Sequence, residues 1–115
     1  MKKIVSMMIA LVLVFSCTAA LAELTFTTGG TSGTYYAYGN VLAQYITNNT
    51  DLDITAISTG GSSDNIDSID LGDMEIAFTQ NDVANYAYNG IRFSRYEGKA
   101  ITGFRAIASD RKSVV

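Results

Sequence analysis

One unit, repeated three times, most constrains what this chain can fold into. It is a short run of β-branched and aromatic residues, then a loop of glycines and hydroxyl or amide residues, then apolar positions spaced three and four apart. Leu24–Thr28 opens the first unit and Gly29-Gly30-Thr31-Ser32-Gly33-Thr34 is its loop. From Tyr35 to about Asn48, Tyr38, Val41, Leu42, Tyr45 and Ile46 mark the buried face of an amphipathic helix. The second unit is Asp53–Ser58, the loop Thr59-Gly60-Gly61-Ser62, and a short helix with Ile66 and Ile69 inward and Gly72 as its stop. The third is Glu75–Thr79, then Gln80-Asn81-Asp82, then a helix to about Tyr88 with Asp82 as its N-cap and Asn89-Gly90 as its close. Ile101–Ala108 reads as a fourth strand, apolar and buried. Strands alternating with helices predict an α/β fold, a mostly parallel sheet with helices on both faces.

The N-terminus fixes the expected compartment. Lys2 and Lys3 precede an apolar stretch, Ile4–Phe15, broken only by Ser6, and Ala20-Leu21-Ala22 offers the small-x-small pattern of a signal peptidase site. The stretch is shorter than the roughly 20 residues that span a bilayer. Residues 1–22 are therefore expected to be a signal peptide, cleaved after Ala22 and delivering the protein to the periplasm. Lipoprotein processing at Cys17 is the alternative, with bulky Phe15 against it. Cys17 is the only cysteine, so the mature chain forms no internal disulfide and relies on its apolar core. It retains all 11 acidic residues and six of the eight basic ones, a formal charge of −5. Without a Lys/Arg cluster, neither nucleic acid nor an anionic membrane surface is an expected partner.

The three loops share one property, since each follows a strand and opens a helix. In an open parallel sheet such loops gather at the carboxyl edge, where ligands bind. Helix starts present free N–H groups and partial positive charge, and glycine lets a ligand approach the backbone. Gly30, Thr31, Ser32 and Gly33, with Gly61 and Ser62 and with Gln80, Asn81 and Asp82, are the candidate contacts to one small polar ligand. Tight turns with helix caps would use the same residues. Tyr35 and Tyr36, in the first helical turn, are candidates to close over a ligand, and core packing is the competing role.

Other chemistries fit less well. The first loop lacks the Gly-Lys-Ser/Thr ending of a P-loop and the glycine spacing of a dinucleotide site. With no histidine and no cysteine beyond Cys17, the usual bases and nucleophile pairs are missing, and no catalytic residue is assigned. Asp64, Asp67, Asp70 and Asp73 recur every third residue, a spacing that drifts around a helix. They are read as a solvated face rather than a metal site. No metal or cofactor is expected. Asn48-Asn49-Thr50 matches a glycosylation sequon but suits a helix-ending turn.

The same loops carry a family likeness. Thr28-Gly29-Gly30-Thr31-Ser32-Gly33-Thr34-Tyr35-Tyr36 with Gly39 resembles the opening signature of TAXI-type TRAP transporter receptors. Ser58-Thr59-Gly60-Gly61-Ser62 with Asn65-Ile66 is similar to their second motif, and Gly72–Ala84 with Ala87-Tyr88-Asn89-Gly90 to their third. Phe104–Ser109 matches the strand that follows. The resemblance covers about Leu24 to Ser109. It implies the first lobe of a two-lobed periplasmic binding protein, not an enzyme. Such a receptor is expected to act as a monomer, to close on a small carboxylate such as glutamate, glutamine or a related acid, and to deliver it to TRAP permease subunits in the membrane. A sensory module reporting the ligand to a membrane kinase is the rival reading.

The likeness ends before the chain does. By this reading residues 23–109 are a partial N-terminal lobe and the second lobe is absent. Residues 110–115 are read as a non-family tail that matches the translation of a common sequencing adapter, with a natural truncation or frameshift as the alternative.

Overall fold

The computed structural model describes residues 23–93 and 95–109. The expected signal peptide, with Cys17, and the tail 110–115 lie outside the described residues. Six elements alternate: β1 (Glu23–Thr27), α1 (Thr34–Asn49), β2 (Asp53–Ile57), α2 (Ser62–Leu71), β3 (Ile76–Ala77) and α3 (Asn81–Asn89). The strands form one parallel sheet in the order β2-β1-β3. The chain therefore steps from β1 to one side, then crosses over it to the other. Right-handed crossovers in opposite directions place α1 and α2 on opposite faces of the sheet. This is an α/β fold of the kind found in one lobe of a periplasmic binding protein.

Two apolar clusters hold these layers. Phe26, Ala43 and Ile54 join α1 to its face of the sheet, with Leu24, Leu42, Ile46, Ala56, Ile76 and Phe78 around them. In-register pairing puts Leu24 and Phe26 of β1 on the same face as Ile54, Ala56 and Ile76. The second cluster, Ile66, Val83, Ala87 and Tyr96, joins α2, α3 and the segment after α3. Tyr96 is completely enclosed there, and its hydroxyl donates to the Ser63 carbonyl at 3.3 Å.

The face of α1 differs from the expected one. Tyr38, Val41 and Tyr45 are 65%, 68% and 65% exposed, whereas Gly39 and Ala43 are buried and Tyr35, Leu42 and Ile46 are half-buried. The inward set Tyr35, Gly39, Leu42, Ala43, Ile46 has the same spacing of three and four. It wins because its small residues let the helix lie close to the sheet. A Cβ on Gly39 would run into Thr28 Cγ2 and sit 3.4 Å from the Phe78 ring.

β3 is shorter than predicted. The Glu75 carboxylate, opposite Thr25, takes the Thr25 N–H at 2.8 Å and so ends the ladder with a side chain. At the other end the Phe78 N–H still reaches the Thr27 carbonyl at 3.0 Å. The predicted fourth strand does not form. Ile101 donates its N–H to Ala87 and Phe104 packs edge-on to Tyr88, but Ala106, Ala108 and Ser109 are exposed and Ile107 is 84% exposed. β1 already has both edges paired, and the two residues of β3 are a short template for another strand.

Both left-handed helix stops occur as expected. Gly72 (φ 75°) and Gly90 (φ 64°) close α2 and α3 with N–H bonds to Ile69 and Ala87. Asp82 is not the N-cap of α3; Gln80 is, and Asp82 lies inside the first turn, where its carboxylate accepts the Val83 N–H at 2.9 Å. Gln80 is the last extended residue before the helix (φ −72°, ψ 142°), so α3 starts two residues upstream of the expected position.

Candidate functional site

The loops after β1, β2 and β3 meet at one edge of the sheet, joined pairwise by hydrogen bonds. Loop one meets loop two where the Ser58 hydroxyl and the Thr59 N–H both donate to the Gly29 carbonyl, at 3.0 and 3.2 Å. Loop two meets loop three where the Gln80 N–H donates to the Ser62 hydroxyl oxygen at 2.9 Å. Loops one and three are bridged by Asn65, whose side-chain amide donates to the carbonyls of Thr28 and Phe78 at 2.6 and 2.7 Å. The Asn65 carbonyl oxygen accepts from the Thr59 hydroxyl at 2.5 Å, and the Gly61 N–H donates to that hydroxyl oxygen at 3.2 Å.

This edge is also where the strand order reverses. β1 lies between β2 and β3, its two neighbours reached by crossovers in opposite directions, the kind of switch point at which ligands bind in open α/β sheets. The three helices begin there, and none of their N-cap residues Gly33, Gly61 and Gln80 caps with its side chain, although Asp82 takes the Val83 N–H in the first turn of α3. Their first-turn N–H groups are what the site has to offer an electronegative ligand.

The three helix starts are not electrostatically equivalent. α2 carries Asp64 and α3 carries Asp82 in the first turn, while α1 carries no acid there. Asp64 is half-exposed and its carboxylate lies against Gly60, where a Cβ would collide with it. Asp82 offsets the positive end of α3, and Asp64, itself paired with Arg95, offsets that of α2 in part, so an anion is least opposed at the start of α1. A ligand's hydrogen-bond donor or cation is favoured beside Asp82.

The site residues expected from sequence fall as follows. Gly30, Thr31, Ser32 and Gly33 are exposed and form a tight turn, closed by the Gly33 N–H on the Gly30 carbonyl at 2.7 Å. Among the described residues the hydroxyls of Thr31 and Ser32 have no partner. Gly61 adopts φ 107°, which only glycine takes without strain, and caps α2 directly before Ser62. Gln80, Asn81 and Asp82 are exposed at the start of α3. Tyr35 is half-buried, its ring 5.2 Å from that of Phe78 and its Cβ close to Gly29. Tyr36 is half-buried and its carbonyl accepts from Asn40 at 2.8 Å; no contact draws it to the second or third loop.

Sequence reasoning passed over Asn65 and Thr59 as site residues, although both stand in the second motif. The available signal was an amide one position before the inward Ile66, on the same buried side of α2. Arg95 was also missed. It spans Asp64 at 3.1 Å and Asp67 at 3.4 Å, and these contacts hold its guanidinium above the ordinary pKa, the Asp64 hydrogen bond first and the Asp67 charge second. Two of the four regularly spaced aspartates thus share a protein cation. This cation comes from the segment after α3, which carries no sequence signature.

A comparison with protein-family models finds a match over residues 26–113, to the family described as NMT1-like. The matched span begins inside β1 and includes all three loops.

Proposed function

The chain belongs to the NMT1-like family, a periplasmic binding-protein-like family, and we propose that it captures a small carboxylate for transport. In this reading it supplies one lobe of a TAXI-type receptor that closes on its ligand outside the cytoplasmic membrane and hands it to TRAP permease subunits. The observation that carries the reading is the pairwise hydrogen bonding of the three loops at the strand-order reversal.

The binding chemistry follows from the charges. The ligand carboxylate takes the start of α1, where the amides after Gly33 and the hydroxyls of Thr31 and Ser32 donate to it. Gly30 allows close backbone approach, and nothing lies within 4 Å of where its Cβ would be. Ser62, with the amides after Gly61, and the Gln80 and Asn81 side chains hydrogen-bond the ligand's charged groups from the other two loops. Asp82 faces the donor end of the ligand, such as the amino group of a glutamate- or glutamine-like acid. Tyr35, seated on Phe78, forms an aromatic wall beside Gly29, and Tyr36 borders the rim.

The ligand class is tested by calorimetric titration of the complete receptor with amino acids, simple dicarboxylates and neutral sugars. Binding is expected from a carboxylate that also carries an amine. Binding of a neutral sugar with no response to any carboxylate would overturn the assignment.

A further inference from the structure

We propose that Asn65, acting with Thr59, is the positioning residue of the site and sets the spacing of its three loops before a ligand arrives. This role rests on the reading of those loops as the ligand seat.

The last ladder bond between β1 and β3 runs from the Phe78 N–H to the Thr27 carbonyl. One residue further along the ladder has ended, and the carbonyls of Thr28 and Phe78 receive no N–H from the opposing strand. Asn65 fills that gap from α2. It is wholly buried, and both its amide hydrogens are used, one on each carbonyl. Its oxygen is engaged by Thr59, which also receives the N–H of Gly61, the residue that starts α2. A continuous chain of hydrogen bonds thus runs from the start of α2, through loop two, to the ends of β1 and β3.

An apolar residue of similar size would avoid the cost of burying an amide. What it could not do is tie three backbone segments at fixed distances, since that takes two donors and one acceptor on a single planar group. Aspartate supplies no second donor. The geometry therefore points to positioning of loops, in which a fully satisfied polar network specifies one arrangement.

The experiment compares the complete wild-type receptor with Thr59→Val and Asn65→Ala. Amide hydrogen exchange is followed without ligand, and L-glutamate is titrated by calorimetry. Gly61 loses its acceptor directly in Thr59→Val, so the informative amides are those of Phe78 and Gln80, whose N–H groups bond to Thr27 and Ser62 and to neither altered side chain. They are expected to exchange about tenfold faster or more, the effect of weakening one hydrogen bond, while Ala43 in the α1 contact keeps its wild-type rate. Glutamate affinity falls by a similar factor. Should Asn65→Ala fail to fold, Thr59→Val decides, since it removes one hydroxyl. Exchange that rises uniformly along the chain, or wild-type rates at Phe78 and Gln80 in Thr59→Val, overturns the proposal. A wild-type receptor that binds no carboxylate, with the local exchange pattern present, removes the ligand reading and leaves the positioning role in place.

Discussion

The Asn65 side-chain nitrogen lies 2.6 Å from the Thr28 carbonyl oxygen, and neither residue exposes any surface. Replacing the amide by a carboxylate of the same shape, Asn65→Asp, removes both donors and turns an oxygen toward two buried carbonyls. Each unsatisfied buried group costs about 1–3 kcal/mol, so the loss of stability is expected to exceed about 2 kcal/mol. Urea denaturation checks this, as a lower midpoint at an unchanged slope. A midpoint equal to wild type would mean that the two carbonyls find other donors.

Gly39 brings α1 onto the end of β1, with Thr28 Cγ2 where its Cβ would be. Gly39→Ala is expected to destabilise by about 1–3 kcal/mol through overpacking, despite alanine's better helix propensity. Thr28→Ser deletes the obstructing methyl and keeps the hydroxyl that donates to the Ile57 carbonyl at 2.6 Å. The double variant should therefore recover much of the loss, and a double-mutant cycle in thermal denaturation measures the coupling. Strict additivity would contradict this contact.

Arg95 closes on Asp64 and Asp67 at the surface, its side chain 48% exposed. Solvent screening limits such pairs to about 0–1 kcal/mol, so Arg95→Ala should lower stability by no more than that, and by less at high salt. Thermal denaturation at two ionic strengths reads both effects. A larger, salt-independent loss would assign Arg95 a buried structural role that its exposure does not support.

Much of this architecture was legible in the sequence because each unit carries its own punctuation. Gly72 and Gly90 stop two helices in the left-handed conformation, and three strand-to-helix loops follow from glycine and hydroxyl composition. The buried side of α1 was not legible. Tyr38, Val41 and Tyr45 are more apolar than Gly39 and Ala43, yet close approach to the sheet selects the small residues. Ile101–Ala108 has the composition of a strand, but composition says nothing about whether an edge is open to receive it. The loops could be named as a candidate site from their place after each strand, whereas the amide beside Ile66 signalled no more than that Asn65 is buried. Its role depends on two carbonyls 37 and 13 residues away, which only the folded chain brings within reach.

The central claim, that the three joined loops seat a small carboxylate, is tested most directly by calorimetric affinity in the complete receptor. Ser62→Ala and Gln80→Ala are compared with Asp67→Ala, which lies outside the loops beside Arg95. Losing a hydrogen bond to a charged ligand group costs about 1.5–3 kcal/mol, roughly ten- to a hundredfold in affinity. That loss is expected in each loop variant, with wild-type affinity in Asp67→Ala. Unchanged affinity in both loop variants would contradict the placement of the ligand at these loops.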